Sequence, residues 1–175
     1  MRLLLYSNEI DIKGIVATTS CWQTDAIHPE SIERIIQGYE KIHPNLIKHD
    51  PNFPEAEKLN SLIKDGLPIY GMEGVGKGMD SEGSDWIIKV LEEDDDRPLW
   101  ISTWGGVNTL AQALYTMRET KSKNELKKLV SKLRVYTISD QDDSGIRIRN
   151  EFPRPFLYRK PRRRLLCSYL DRYYE

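Results

Sequence analysis

"PLWISTWGGVNTLAQAL", Pro98 to Leu114, is an apolar run that stops at two glycines and continues as a helical pattern. Its first seven residues suit a strand. Leu110, Leu114 and Met117 then recur at helical intervals behind Asn108 or Thr109, either of which can cap a helix. A strand that turns at glycine straight into a helix is the repeating unit of a parallel α/β sheet. The turn lies at the carboxyl edge of that sheet, the side on which open α/β folds bind ligands.

The pattern repeats on both sides. "IDIKGIVATTS" (Ile10 to Ser20) alternates and then becomes a β-branched run ending in hydroxyls, and "LRVYTIS" (Leu133 to Ser139) is a third such run. Strands are predicted near 12–19, 98–104 and 133–139. Between them, "HPESIERIIQGYEKI" (His28 to Ile42) spaces Ile32, Ile35, Ile36, Tyr39 and Ile42 on one helical face, with Pro29 in the first turn. "PEAEKLNSLIKDG" (Pro54 to Gly66) reads as a second helix, with Gly66 as its stop. Leu67 to Ser84 is glycine-rich and reads as a loop, followed by a helix through Trp86, Ile87, Val90 and Leu91 that ends in the acidic run Glu92 to Asp96. Ser122 and Glu125 form a capping box for another helix. The alternation predicts a parallel sheet with helices on both faces, Rossmann-like, in a single domain.

Composition sets the bounds. At 175 residues the chain can bury a real core, and 39% apolar with 30% charged residues suits a globular protein. A formal net charge of −1 gives no general pull toward nucleic acid or anionic membrane. From Arg147 to Glu175, however, nine Lys and Arg face three Asp and Glu, and the Arg162-Arg163-Arg164 run reads as a solvated basic tail, so nucleic acid is not the expected partner. No stretch approaches a membrane span, and the apolar start at Met1 to Tyr6 meets Asn8, Glu9 and Asp11 too soon for a signal peptide. As it stands the chain reads as cytoplasmic. Cys21 and Cys167 match no metal or redox spacing; they can pair in an oxidising compartment or remain thiols. His28, His43 and His49 have no mutual metal spacing and are expected in surface or capping roles. "GVGKG" (Gly74 to Gly78) fails the spacing of a phosphate-binding loop.

The polar residues gather after the strands: Thr18, Thr19 and Ser20, then Gly105, Gly106 and Asn108, then Asp140, Asp142 and Asp143. Glycines let a backbone approach a ligand, and aspartates hold sugar hydroxyls or a hard cation. Trp22 and Trp104 sit at strand ends, where stacking on a sugar or base is expected, while Trp86 and Trp100 lie within apolar elements and read as core. The candidate substrate-binding set is Ser20, Trp22, Glu82, Trp104, Gly105, Gly106, Asn108, Asp140, Asp142 and Asp143. No residue is assigned as catalytic.

"LLLYSNEIDIKGIVATTSCW", "HPNLIKHDPNFP", "GLPIYGMEGVGKGMDSEGSDWII", "RPLWISTWGGVNTLAQAL" and "KLRVYTISDQDDSG" resemble the nucleoside hydrolase-like domain of cellulose-binding-associated proteins. The resemblance covers about residues 1–152, with 153–175 left as a divergent basic tail. It implies the fold of the inosine-uridine nucleoside hydrolases, a sugar or nucleoside as ligand, and export in complete family members. Those enzymes bind calcium partly through a backbone carbonyl of a Gly-Pro-Leu-Thr-Asn-Leu-Ala segment. Gly105 to Ala111 stands in that place, making the Asn108 carbonyl the candidate metal contact. They also carry an aspartate-rich first strand, which supplies calcium ligands and the base. By this resemblance the chain begins after that strand and is a partial copy, with Cys21 near the place of a ribose-binding Asn.

Three expectations follow. Calcium belongs to the complete fold and is not expected to bind tightly here. Hydrolysis of an N-glycosidic or related sugar bond is expected to be impaired, a non-catalytic carbohydrate-binding module being the alternative and nucleic-acid binding through the tail a weaker one. A sheet edge left unpaired by the missing strand is expected to lower stability, to be filled by 147–175, or to form a homodimer.

Overall fold

The computed structural model describes residues 2–152 and, as backbone, 156–159. Cys167 and the Arg162-Arg163-Arg164 run lie outside the described residues. Where sequence alone counts one domain, the chain divides into two compact units, one of Met1–Ala17 and His28–Asp65, the other of Thr18–Ile27 and Gly66–Glu175.

The first unit contains a short 3₁₀ turn (Arg2–Tyr6), β1 (Ile15–Ala17), α1 (Pro29–Leu46), α2 (Ala56–Ser61) and β2 (Ile63–Asp65). β1 and β2 are parallel, with Ile15 opposite Ile63 and Ala17 opposite Asp65. The helix expected over 54–66 therefore ends early, and its last residues become a strand. Leu4, Ile36, Tyr39, Ala56 and Leu59 form the buried centre. His43 was expected in a surface or capping role, and it is a buried residue in the last turn of α1. It faces the ring of Tyr39 at 5.6 Å, and its Nε2 lies 3.2 Å from the Phe53 carbonyl, so its polar edge is satisfied inside the unit.

The second unit carries α3 (Glu82–Glu92), β3 (Leu99–Thr103), α4 (Asn108–Thr120), α5 (Lys123–Lys132), β4 (Leu133–Thr137), α6 (Ser144–Glu151) and β5 (Phe156–Arg159). Its three strands are parallel in the order β3-β4-β5. The predicted strands at 98–104 and 133–139 are thus found, and the α/β parallel expectation holds. β5 falls within the stretch read as a tail.

Asn108 through Leu114 are buried without a break, so the first two turns of α4 are surrounded on every side. Leu110, Leu114 and Met117 meet Leu133, Val135, Ile148, Ile87 and Leu91 in the core. The Ser122–Glu125 capping box is present as read, and Ser81 with Ser84 makes a second one at the start of α3. Lys132 Nζ donates to the carbonyls of Leu91 at 3.3 Å and Glu93 at 3.0 Å, satisfying acceptors that the end of α3 leaves open. The acidic run after α3 is largely exposed, as expected of a solvated turn.

Candidate functional site

Three chain segments far apart in sequence lock together at the carboxyl ends of β3 and β4, and a fourth braces them. The Gly106 N–H donates to the Thr19 carbonyl at 2.7 Å. The Thr18 hydroxyl donates to Asn108 Oδ1 at 2.8 Å, and Asn108 Nδ2 donates to the Ile69 carbonyl at 2.7 Å and to Thr19 Oγ1 at 3.3 Å. Asn108 is 2% exposed. Its amide is therefore committed to protein partners and serves as a three-way tie. The helix start it occupies has no side-chain cap; Val107 is the N-cap residue.

The third segment closes over the second. Gln141 Nε2 donates to the Trp104 carbonyl at 2.5 Å, and Tyr70 donates its hydroxyl to the Gln141 carbonyl at 2.5 Å. Asp142 is fully buried. One of its oxygens accepts the Val107 N–H at 3.0 Å; the other accepts the Ser144 N–H at 3.1 Å and the Ser144 hydroxyl at 2.5 Å. Burial pushes this carboxyl up from its ordinary value, against the pull of those hydrogen bonds. Burial likewise raises the Tyr70 phenol, with the charges of Asp142 and Asp143 adding to it.

Asp140 is 3% exposed and grips Arg149 with both oxygens, at 2.8 and 2.9 Å. Asp143 is exposed, and its Oδ1 accepts the Met72 N–H at 2.9 Å.

The glycines are explained by these neighbours. A Cβ on Gly106 would overlap Asp142 Oδ2, and one on Gly105 would come 2.8 Å from the Thr19 carbonyl oxygen. Gly71 has φ +55°, and a Cβ there would run into Asp143 Oδ1.

Of the candidate residues, Gly106 and Asn108 are joined through Thr19, while Asp142 holds Val107 between them and Gln141 holds Trp104. Ser20 accepts the Trp22 N–H at 3.3 Å and belongs to the same segment as Thr19. Glu82 opens α3, where a carboxylate suits the helix N-terminus, rather than a strand end. Trp22 and Trp104 are 66% and 68% exposed. Trp100, read as core, is 60% exposed: β3 turns it outward together with Ser102. Trp86 is partly buried, with Lys89 Nζ 4.7 Å above its ring. Sequence reading gave no role to Tyr70, Gln141 or Arg149. Their partners lie 71, 37 and 9 residues away, and no local motif marks such pairs. Thr137 Oγ1 and Ser139 Oγ, at the end of β4, are buried without a hydrogen-bond partner.

The residues present do not suit the calcium that the resemblance implies. A hard cation needs several oxygens free to face it. Asp142 spends its oxygens on three donors and Asp140 on a guanidinium, and the described residues hold no group of three acidic, His or Cys side chains arranged around a cation.

One polar tie on α4 runs through a carboxylate. Buried Gln112 holds the 76–80 loop on α4, accepting the Gly76 N–H at 2.7 Å and donating to Asp80 Oδ1 at 2.9 Å. Asp80 also accepts the Thr116 hydroxyl at 2.6 Å, and these bonds, Thr116 foremost, hold its carboxyl below the ordinary carboxylate value. A lowered carboxyl stabilises the fold above its unfolded value and loses that contribution as pH falls through the folded one. The protection of the 76–80 amides, measured as exchange relative to the intrinsic rate at each pH, is therefore expected to fall on acidification below the usual carboxylate range, and Asp80→Asn to remove that dependence.

Comparison with known proteins agrees with the α/β fold. The family described as "Cellulose-binding Sde182, nucleoside hydrolase-like domain" matches residues 1–174, and so extends through the stretch read as a divergent tail. A solved structure of a nucleoside hydrolase-related hypothetical protein from Saccharophagus degradans, associated with carbohydrate metabolism, is 40% identical with a TM-score of 0.87. That match covers 97% of this chain and 42% of the other, so the chain spans well under half of that protein's length. No curated protein matches.

Proposed function

We propose, from the premise that this chain belongs to the cellulose-binding, nucleoside hydrolase-like family, that it recognises carbohydrate at its strand-end cluster and that its buried aspartates supply no hydrolytic base. The observation that carries this reading is the contrast at the cluster between bound carboxylates and exposed indoles. Glycoside hydrolysis uses a pair of carboxyl groups, one to protonate the leaving oxygen and one to attack or activate water. Asp140 and Asp142 are buried, each with both oxygens engaged. Trp22 and Trp104 instead present large planar surfaces beside a backbone fixed by hydrogen bonds. The apolar C–H face of a pyranose or furanose stacks on such a ring at little ordering cost, because the indole has only two side-chain torsions. Gly105, Gly106 and Asn108 then act by holding the 104–108 turn in place.

Titration calorimetry with cellobiose tests this. Binding is expected to be unchanged by EDTA and weakened roughly tenfold by Trp104→Ala, the scale of one lost stacking contact. Inosine cleavage should stay at background. Calcium-dependent binding, or no effect of either Trp22→Ala or Trp104→Ala, would count against it. Asp143, the strand-end carboxylate left exposed, favours a second reading as a hydrolase. Measurable turnover lost in Asp143→Asn would support that reading instead.

A further inference from the structure

We infer that the outward face of β3 and β4 is a platform for an extended, neutral β-linked glucan chain; the inference rests on the carbohydrate reading above and names the length of its ligand. Parallel strands are ordinarily covered on both faces and read as apolar throughout. Here the coverage is one-sided. Leu133, Val135 and Thr137 of β4 point inward and are buried. The opposite row consists of Trp100 at 60% exposure, Ser102, Tyr136 at 37% and Ile138 at 36%. Register sets Ser102 beside Tyr136 and Trp100 beside Arg134.

A merely solvated face would carry charged side chains. Among the described residues of β3 and β4, this one carries aromatic rings and hydroxyls, with no carboxylate. The charge in the described row, Arg134, turns Nη1 back to the carbonyls of Ser131 at 2.9 Å and Leu133 at 2.8 Å. Such a surface favours a flat, uncharged ligand with both C–H faces and hydroxyls, which describes a glucan and disfavours a nucleotide or an acidic polysaccharide.

Length follows from Trp104. Its indole N–H donates to Ser102 Oγ at 3.2 Å, which lays the ring along the same row. The strip therefore runs from Trp100 past Ser102 to Trp104, four residues or about 13 Å at the rise of a strand. That exceeds one sugar ring, so successive rings of one chain can meet Trp104 at the strand end and Trp100 further along. The cellulose-binding description of the family accords with a linear β-linked ligand.

The test is a calorimetric series of cello-oligosaccharides from the dimer to the hexamer, with adsorption to microcrystalline cellulose, on wild type, Trp100→Ala, Trp100→Phe and Trp104→Ala. Wild-type affinity is expected to rise with length. Trp100→Ala should weaken the hexamer roughly tenfold and leave the dimer almost unchanged, Trp100→Phe should recover part of the loss, and Trp104→Ala should weaken both. Equal affinity at all lengths, or hexamer binding untouched in Trp100→Ala, overturns the platform. If Trp104→Ala still weakens the dimer in that case, the carbohydrate reading survives; if wild type does not bind the dimer or the hexamer, both fall. Sedimentation provides a separate check. A wild-type dimer that Trp100→Ala converts to monomer would make this face a self-association surface and overturn the assignment.

Discussion

Gly106→Ala is expected to lower the melting temperature by roughly 6–12 °C, equivalent to about 3 kcal/mol in a chain of this length. The added methyl lands on Asp142 Oδ2 and lies 3.1 Å from the Thr19 carbonyl oxygen. Neither neighbour is a free side-chain tip. Asp142 is fixed by Val107 and Ser144, and the Thr19 carbonyl accepts the Gly106 N–H itself. Overpacking of this kind costs about 1–3 kcal/mol, and moving Asp142 off the Val107 N–H leaves a buried donor open for about 1–3 kcal/mol more. Thermal melts of a double-mutant cycle separate the two contributions. In an Asp142→Ala background the methyl has room, and Gly106→Ala should cost far less than it does in wild type. Additive losses would show that Thr19, not Asp142, sets the constraint.

Arg149→Met should cost roughly 3 kcal/mol by chemical denaturation. The Asp140 carboxylate is almost wholly buried, and removing the guanidinium that holds both its oxygens withdraws its counter-charge. Breaking a buried ion pair from one side typically costs about 3–5 kcal/mol. Arg149 keeps 27% of its side chain exposed, which places the expectation at the lower end, because water can reach part of the gap. Arg149→Lys should fall between, since an ammonium cannot reproduce the two parallel bonds. Replacing both partners, as in Asp140→Leu with Arg149→Met, removes the stranded charge along with its partner. A double variant close to wild type, beside a damaged single one, is the expected pattern; equal damage in both would show that the pair positions α6 by shape rather than by charge.

β3, β4 and the helix between Ser122 and Lys132 were legible because each carries its own signal: an apolar run closed by glycine, a β-branched run, a capping box. β2 was not legible. Leu59, Leu62 and Ile63 keep helical spacing, and a three-residue strand is too short to show a period; it becomes a strand by pairing with β1. α6 escaped notice because Ile146 and Ile148 alternate with arginines. Trp100 was read as core because Leu99 and Ile101 beside it are also apolar, and nothing local says which way a strand residue faces. Polar residues at the strand ends could be listed from the sequence because the α/β topology brings those ends to one side. What those residues bind could not be read. Asp142 looks like a ligand-holding carboxylate until Val107, 35 residues earlier, is seen to donate to it.

The tie at Asn108 also bears on the order of events as the chain leaves the ribosome. Thr18 waits for a partner 90 residues downstream, and the 104–108 turn waits again for Gln141 and Asp142. Residues 18–27 emerge early, between two stretches of the first unit, yet belong to the second. The loss of freedom in closing so long a loop comes before any contact repays it. The 18–27 segment therefore stays unlatched for most of synthesis, and the cluster sets only when the end of β4 has emerged.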